Sequence, residues 1–90
     1  MLDNENESLL EFPCQFPIKA LGNSRCDVKS VVVDILQRHV SEWEKATIKQ
    51  RPSKNGKYVS VTVSFEAASR AQLDAIYQDL TASEFILMAL

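Results

Sequence analysis

The chain has 90 residues, a formal net charge of −2, 46% hydrophobic residues and 24% charged residues. This length suits one domain, and ten basic against twelve acidic residues argue against a nucleic-acid partner, which usually requires a basic surface. The apolar run at 85–90 is too short to span a membrane, and the first residues do not resemble a secretory leader. We therefore expect a cytoplasmic protein without a membrane partner.

The composition changes near Leu9. Residues 1–8 are acidic and polar, and apolar residues recur from Leu9 onward, so we predict a mobile acidic N-terminal tail at 1–8 and a single domain at 9–90. Cys14 and Cys26 flank a predicted strand that would hold them roughly 20 Å apart, beyond the separation of about 7 Å that a disulfide allows. We expect two free thiols, and without a C-x-x-C pair we predict no zinc site.

The first half of the chain predicts a strand followed by a helix. Residues 15–21 alternate in part, with Pro17 expected near the start of the strand or at an unpaired position. A turn at Gly22 leads to Ser24 and Asp27, which we interpret as a capping box. The helix that follows should end near Ser41. Its apolar stripe consists of Val28, Val31, Val32, Ile35 and Leu36, with His39 in its last turn.

The second half predicts a hairpin, a helix and a last strand. Strands at 46–51 and 58–65 flank an Asn-Gly turn, and the second has valines and Phe65 on one face and hydroxyls on the other. Ser69 caps a second helix, and 85–90 forms the fourth strand.

The order strand, helix, strand, strand, helix, strand predicts an α+β fold. We expect a ferredoxin-like βαββαβ sandwich, with a four-stranded antiparallel sheet in the order 4-1-3-2 and both helices on one face. A helix-plus-meander topology is the alternative.

No constellation of residues indicates catalysis. His39 is the only histidine, no nucleophile is placed near it, and the two glycines belong to turns rather than to a nucleotide-binding motif. We therefore predict no catalytic residue, no metal site and no cofactor.

The sheet face away from the helices is the predicted interaction surface. With Ile86 and Met88 directed to the core, the outward residues would include Phe85, Leu87, Tyr58 and Leu21. Since the fourth strand is also an apolar edge, we expect self-association or binding of another protein there.

Several short segments resemble the YbeD-like family of small bacterial proteins, from about Leu9 to Leu90. They are Leu9-Leu10-Glu11-Phe12-Pro13, Leu21-Gly22, Gln37-Arg38-His39, Pro52-Ser53-Lys54 and Met88-Ala89-Leu90. The resemblance implies a ferredoxin-like fold similar to ACT regulatory domains, a biochemical function that is not established, and a link to lipoate metabolism through gene neighbourhood.

ACT-like domains commonly bind small effectors at the first strand-to-helix turn. The matching positions are Leu21, Gly22, Asn23 and Ser24, where exposed helix amides would hold a carboxylate; an ordinary capped turn is the alternative. We therefore predict a small non-enzymatic regulatory or adaptor protein that acts through protein contacts and senses a small effector. The alternatives are an RNA-binding module using the open sheet face and a small enzyme of unknown reaction.

Overall fold

The computed structural model describes residues 10–90, so the predicted tail at 1–8 lies outside the described residues. The elements, in chain order, are β1 (Cys14–Asn23), α1 (Val28–His39), a short 3-10 turn (Trp43–Lys45), β2 (Thr47–Pro52), β3 (Tyr58–Ala67), α2 (Arg70–Ala82) and β4 (Met88–Ala89). Neither helix is long and apolar enough to cross a membrane.

The four strands form one antiparallel sheet in the order β2-β3-β1-β4. This is the predicted order 4-1-3-2, counted from the opposite edge, so the ferredoxin-like prediction is confirmed. β1 and β3 pair along their whole length, from Cys14 opposite Ala67 to Asn23 opposite Tyr58. By contrast, β4 contributes only two residues to its pairing with β1.

One side of the sheet and the inner faces of the helices form the core. The alternation of β3 places Val61 and Val63 in the core, at 0% and 1% exposure, and leaves Ser60 and Thr62 half-buried on the other side. The predicted stripe of α1 is buried against them through Val28, Val32, Ile35 and Leu36, and α2 contributes Leu73, Ile76 and Leu80. Both cysteines are free thiols, as expected.

The start of α1 differs from the prediction. Its N-cap is Asp27, whose carboxylate accepts hydrogen bonds from the Ser30 amide (3.2 Å) and the Ser30 hydroxyl (2.8 Å). The predicted capping box is therefore wrong at Ser24, whose hydroxyl donates instead to the Gly56 carbonyl (2.7 Å). The reason is that β1 extends to Asn23 and the Ser24 amide still pairs with the hairpin, so the helix starts later. The predicted Ser69 cap of α2 is confirmed, since its hydroxyl accepts from the Gln72 amide.

The last strand contains an irregularity. The Leu21 carbonyl accepts a hydrogen bond from the Leu87 amide (2.8 Å), although the residue opposite Leu21 is Met88. Leu87 and Met88 therefore both lie opposite Leu21. This is the arrangement of a β-bulge, which shifts the side-chain alternation by one position. Ile86 is buried as predicted, but Met88 is 53% exposed, so the expectation that Met88 faces the core is wrong.

Candidate functional site

An exposed apolar strip runs along β1 and β4 at one edge of the sheet. Residues opposite each other in an antiparallel pair face the same side, so Met88 shares the outer side of the sheet with Leu21, and Leu90 shares it with Lys19. Leu87, Met88 and Leu90 are 59%, 53% and 65% exposed. We call Leu21, Leu87, Met88 and Leu90 the apolar strip.

Phe85 is not part of this strip. Although it is 44% exposed, it lies before the bulge and lines a groove of about 600 Å³ beside the helices, together with Val31, Ile35 and Asp79. Tyr58 is half-buried on the outer side at the start of β3, and the centre of its ring lies 5.7 Å from the Lys57 ammonium. Leu21 and Tyr58 therefore lie on the open face, Leu87 is hydrogen-bonded beside Leu21, and Phe85 lines the groove beside the helices.

A cationic patch occupies the other half of the open face. Lys19, Thr62 and Lys49 form one row across β1, β3 and β2, and Leu21, Ser60 and Arg51 form the next row. A shallow groove of about 620 Å³ in this region has no carboxylate in its lining, which consists of Lys19, Lys49, Gln50, Arg51, Ser60 and Thr62. We call Lys19, Lys49 and Arg51 the cationic patch.

The basic residues of this patch make no ion pair with any residue in 10–90. Of the described strands, only β3 places an acidic residue on this side, Glu66, which lies opposite Gln15 toward the other end of the sheet. Lys49 and Arg51 stand at alternate positions in the sequence and therefore share a face of β2. The pairing of β1 and β2 with β3 adds Lys19 to them.

The helix side carries paired charges instead. Arg38 contacts Asp34 (2.6 Å) within α1 and Asp79 (3.7 Å) on α2, and His39 Nε2 lies 2.6 Å from the same Asp79 carboxylate. The Gln72 side-chain amide donates to the His39 carbonyl (2.8 Å). The predicted position of His39 in the last turn of the helix is confirmed, and its side chain links α1 to α2.

The predicted effector positions form a closely packed turn. A Cβ atom on Gly22 would lie 2.5 Å from Val28 Cγ2 and 2.7 Å from the Phe85 carbonyl oxygen, so only glycine fits there. The Ser24 amide bonds the Lys57 carbonyl (3.0 Å), and the Asn23 side chain accepts from the Arg25 amide (2.9 Å). These amides are thus engaged within the protein.

The N-terminus of α1 already holds an anion of the protein itself. Hydrogen bonds from the Ser30 hydroxyl and the Ser30 amide lower the pKa of the Asp27 carboxyl from its usual value. This favours a capped turn over an empty carboxylate site. Among residues 10–90, no cluster of three or more histidine, cysteine or acidic side chains is arranged to hold a metal ion. Burial raises the pKa of the Tyr77 phenol.

Comparison with known proteins identifies relatives over the full chain. A protein of Paraburkholderia phytofirmans designated UPF0250 is 38% identical over 89 residues, covering 99% of this chain and 100% of that protein. UPF0250 protein NE1487 of Nitrosomonas europaea is 39% identical over 84 residues, covering 93% and 97%. A UPF0250 protein of Neisseria gonorrhoeae is 35% identical and covers both chains completely.

A solved structure supports the fold. The solution structure of protein HP0495 from H. pylori matches with a TM-score of 0.68 and 19% sequence identity, covering 90% of this chain and 85% of that one. The model of a family described as protein of unknown function (DUF493) matches residues 7–90. The predicted membership of a YbeD-like family of small proteins is confirmed at this level, and the chain belongs to the DUF493 family.

Proposed function

We propose that the protein is a non-enzymatic adaptor or regulatory module that binds another protein through the apolar strip. The observation that supports this is the exposure of three large apolar side chains, Leu87, Met88 and Leu90, at more than half of their surface on neighbouring positions. Single exposed apolar residues are ordinary on protein surfaces, whereas a contiguous group is typical of an interaction site.

The energetics favour a protein partner. Fully covering an exposed large apolar side chain is worth roughly 1.5–3 kcal/mol. Leu87, Met88 and Leu90 are 53–65% exposed, so a partner that buries them would gain part of that value from each. The strip also adjoins the polar side chain of Ser60 through the row that contains Leu21. An apolar centre with a polar margin is the usual composition of a protein interface.

The engagement of the titratable side chains supports a role without catalysis. His39 is held by Asp79 in a contact between the helices, and Asp27 caps α1. Effector sensing at Gly22 has less support, since the turn is tightly packed and its amides bond to the protein itself.

The test compares two matched variants for association. Leu87→Lys/Met88→Lys places charges on the strip, and Phe85→Lys places one at the groove beside the helices. We expect the double variant to lose the partners that the wild type retains in affinity capture with quantitative mass spectrometry, or its self-association by light scattering. We expect Phe85→Lys to retain both. Equal retention by all three proteins, with circular dichroism showing that they are folded, would contradict the proposal.

RNA binding is the second candidate, because the cationic patch faces solvent without ion pairs to residues 10–90. Its weakness is that β3 places Ser60, Thr62 and Ser64 where RNA-binding sheets place aromatic residues for stacking. Fluorescence anisotropy with a labelled single-stranded oligonucleotide decides the matter. Salt-sensitive binding that Lys19→Glu weakens supports RNA binding, and the absence of binding at low salt excludes it.

A further inference from the structure

The outer edge of β2 is an unpaired strand edge. The Ser53 amide donates to the Tyr58 carbonyl (2.8 Å), which fixes the alternation of hydrogen bonds between β2 and β3. In an antiparallel pair every second residue bonds its partner, so Thr47, Lys49 and Arg51 direct their backbone groups to β3. Ile48 and Gln50 therefore direct an N–H and a C=O each away from the sheet, and no residue in 10–90 bonds to them in a turn or a strand.

The side chains along this edge carry positive charge on one face. Lys49 and Arg51 are exposed, lie two residues apart on the open side of the sheet, and belong to the cationic patch. Two residues of a strand span about 7 Å, and the same spacing recurs in any strand that pairs alongside. Acidic side chains at alternate positions of an incoming strand would therefore lie opposite both cations.

We propose that the β2 edge is a binding site for an extended segment of a partner protein that has acidic residues at alternate positions. The segment adds a fifth strand to the sheet, with its backbone bonded to Ile48 and Gln50 and its carboxylates beside Lys49 and Arg51. Main-chain hydrogen bonds supply affinity in such strand addition, and the alternate side chains supply selectivity. Opposite charges directly across two strands stabilise the pairing, and like charges destabilise it.

The charge pattern also determines what the edge rejects. Lysine on an edge strand discourages pairing with neutral or basic strands, including the β2 edge of a second copy. A strand with acidic side chains is instead attracted by Lys49 and Arg51. The site is separate from the apolar strip, which lies across β3 and β1 at the other edge, so each can fail without the other.

The experiment titrates the full chain into a fluorescent peptide of five alternating Glu-Thr units. A second peptide with five consecutive glutamates followed by five threonines has the same composition without the alternation, and a Lys-Thr peptide reverses the charge. We expect saturable binding of the alternating peptide that weakens as the salt concentration rises. We expect clearly weaker binding of the block peptide and none of the Lys-Thr peptide.

Three variants separate strand pairing from simple attraction between charges. Lys49→Glu/Arg51→Glu should weaken binding by at least about tenfold, because it places like charges opposite the acids. Lys19→Glu, on the same face but two strands from the edge, should change affinity by less than about threefold. Gln50→Pro removes an outward N–H at a position where an edge strand tolerates proline, and it should also abolish binding.

Each outcome is decisive for the proposal. Equal binding of the alternating and block peptides, or equal loss with Lys19→Glu and with the double variant, would show a general anion surface and overturn the strand site. Unchanged affinity of a Gln50→Pro protein that is folded by circular dichroism would do the same. Since no measurement involves the apolar strip, failure here leaves the proposed adaptor function standing.

Discussion

The two sides of this molecule differ in whether their charged side chains form ion pairs. On the helix side, Arg38 and His39 contact Asp79, and the N-terminus of α1 is capped by Asp27. On the open sheet side, Lys19, Lys49 and Arg51 have no ion-pair partner among residues 10–90. Paired charges link the elements of the fold, whereas the unpaired ones contribute little to its stability and are available to a ligand.

The two sides of the molecule also differ in burial, as neighbouring residues of β3 show. Val61 is fully buried, and its neighbour Thr62 stands on the open face between two lysines. The two side chains have nearly the same shape, so exchanging their chemistry compares the two sides directly.

The largest effect is expected from Val61→Thr, which places a hydroxyl in the core beside apolar neighbours. Burying a hydroxyl without a partner should lower the free energy of unfolding by about 2 kcal/mol in urea denaturation. The matched change Thr62→Val should stay within about 0.5 kcal/mol of the wild type, since Thr62 is only half-buried and lies outside the core. Similar losses for both variants would break the distinction between the two sides.

Asp79 and Asp34 offer a smaller comparison within the helix side. Asp79 joins α2 to His39 and Arg38 of α1, while Asp34 contacts Arg38 of its own helix and is 61% exposed. Asp79→Asn should lower the free energy of unfolding by about 1 kcal/mol, and Asp34→Asn by about 0.3–0.5 kcal/mol. High salt should reduce both effects. If Asp34→Asn lowers the free energy of unfolding more than Asp79→Asn does, the contacts between the helices are not the main contribution of these charges.

The smallest effect concerns Asp27, whose pKa is lowered in the folded protein by hydrogen bonds from Ser30. A lowered pKa means that the carboxylate stabilises the fold above its unfolded pKa and that this stability is lost as the pH falls through the folded pKa. The Tm difference between wild type and Asp27→Ala should thus be greatest at neutral pH and shrink below about pH 4. Asp27→Asn, which keeps a cap without a titrating group, serves as the control. A difference independent of pH would exclude the charged cap.

The sequence by itself determined the architecture. The apolar alternation of β3 and the stripe of α1 have periods that only a half-buried strand and an amphipathic helix can satisfy, and they led to the observed sheet order. Local chemistry also located the cap at Ser69, because a hydroxyl and an amide three residues apart suffice for that contact.

Only the tertiary structure decided which side chains share a surface. The bulge at Leu87 turns Met88 outward, and Ser24 stays hydrogen-bonded to the hairpin of β2 and β3, because in both places a pairing with a distant strand overrides the local pattern. In the cationic patch, the register of three strands places Lys19 and Lys49 in one row. The two residues are thirty positions apart in the sequence, so a local periodicity does not relate them.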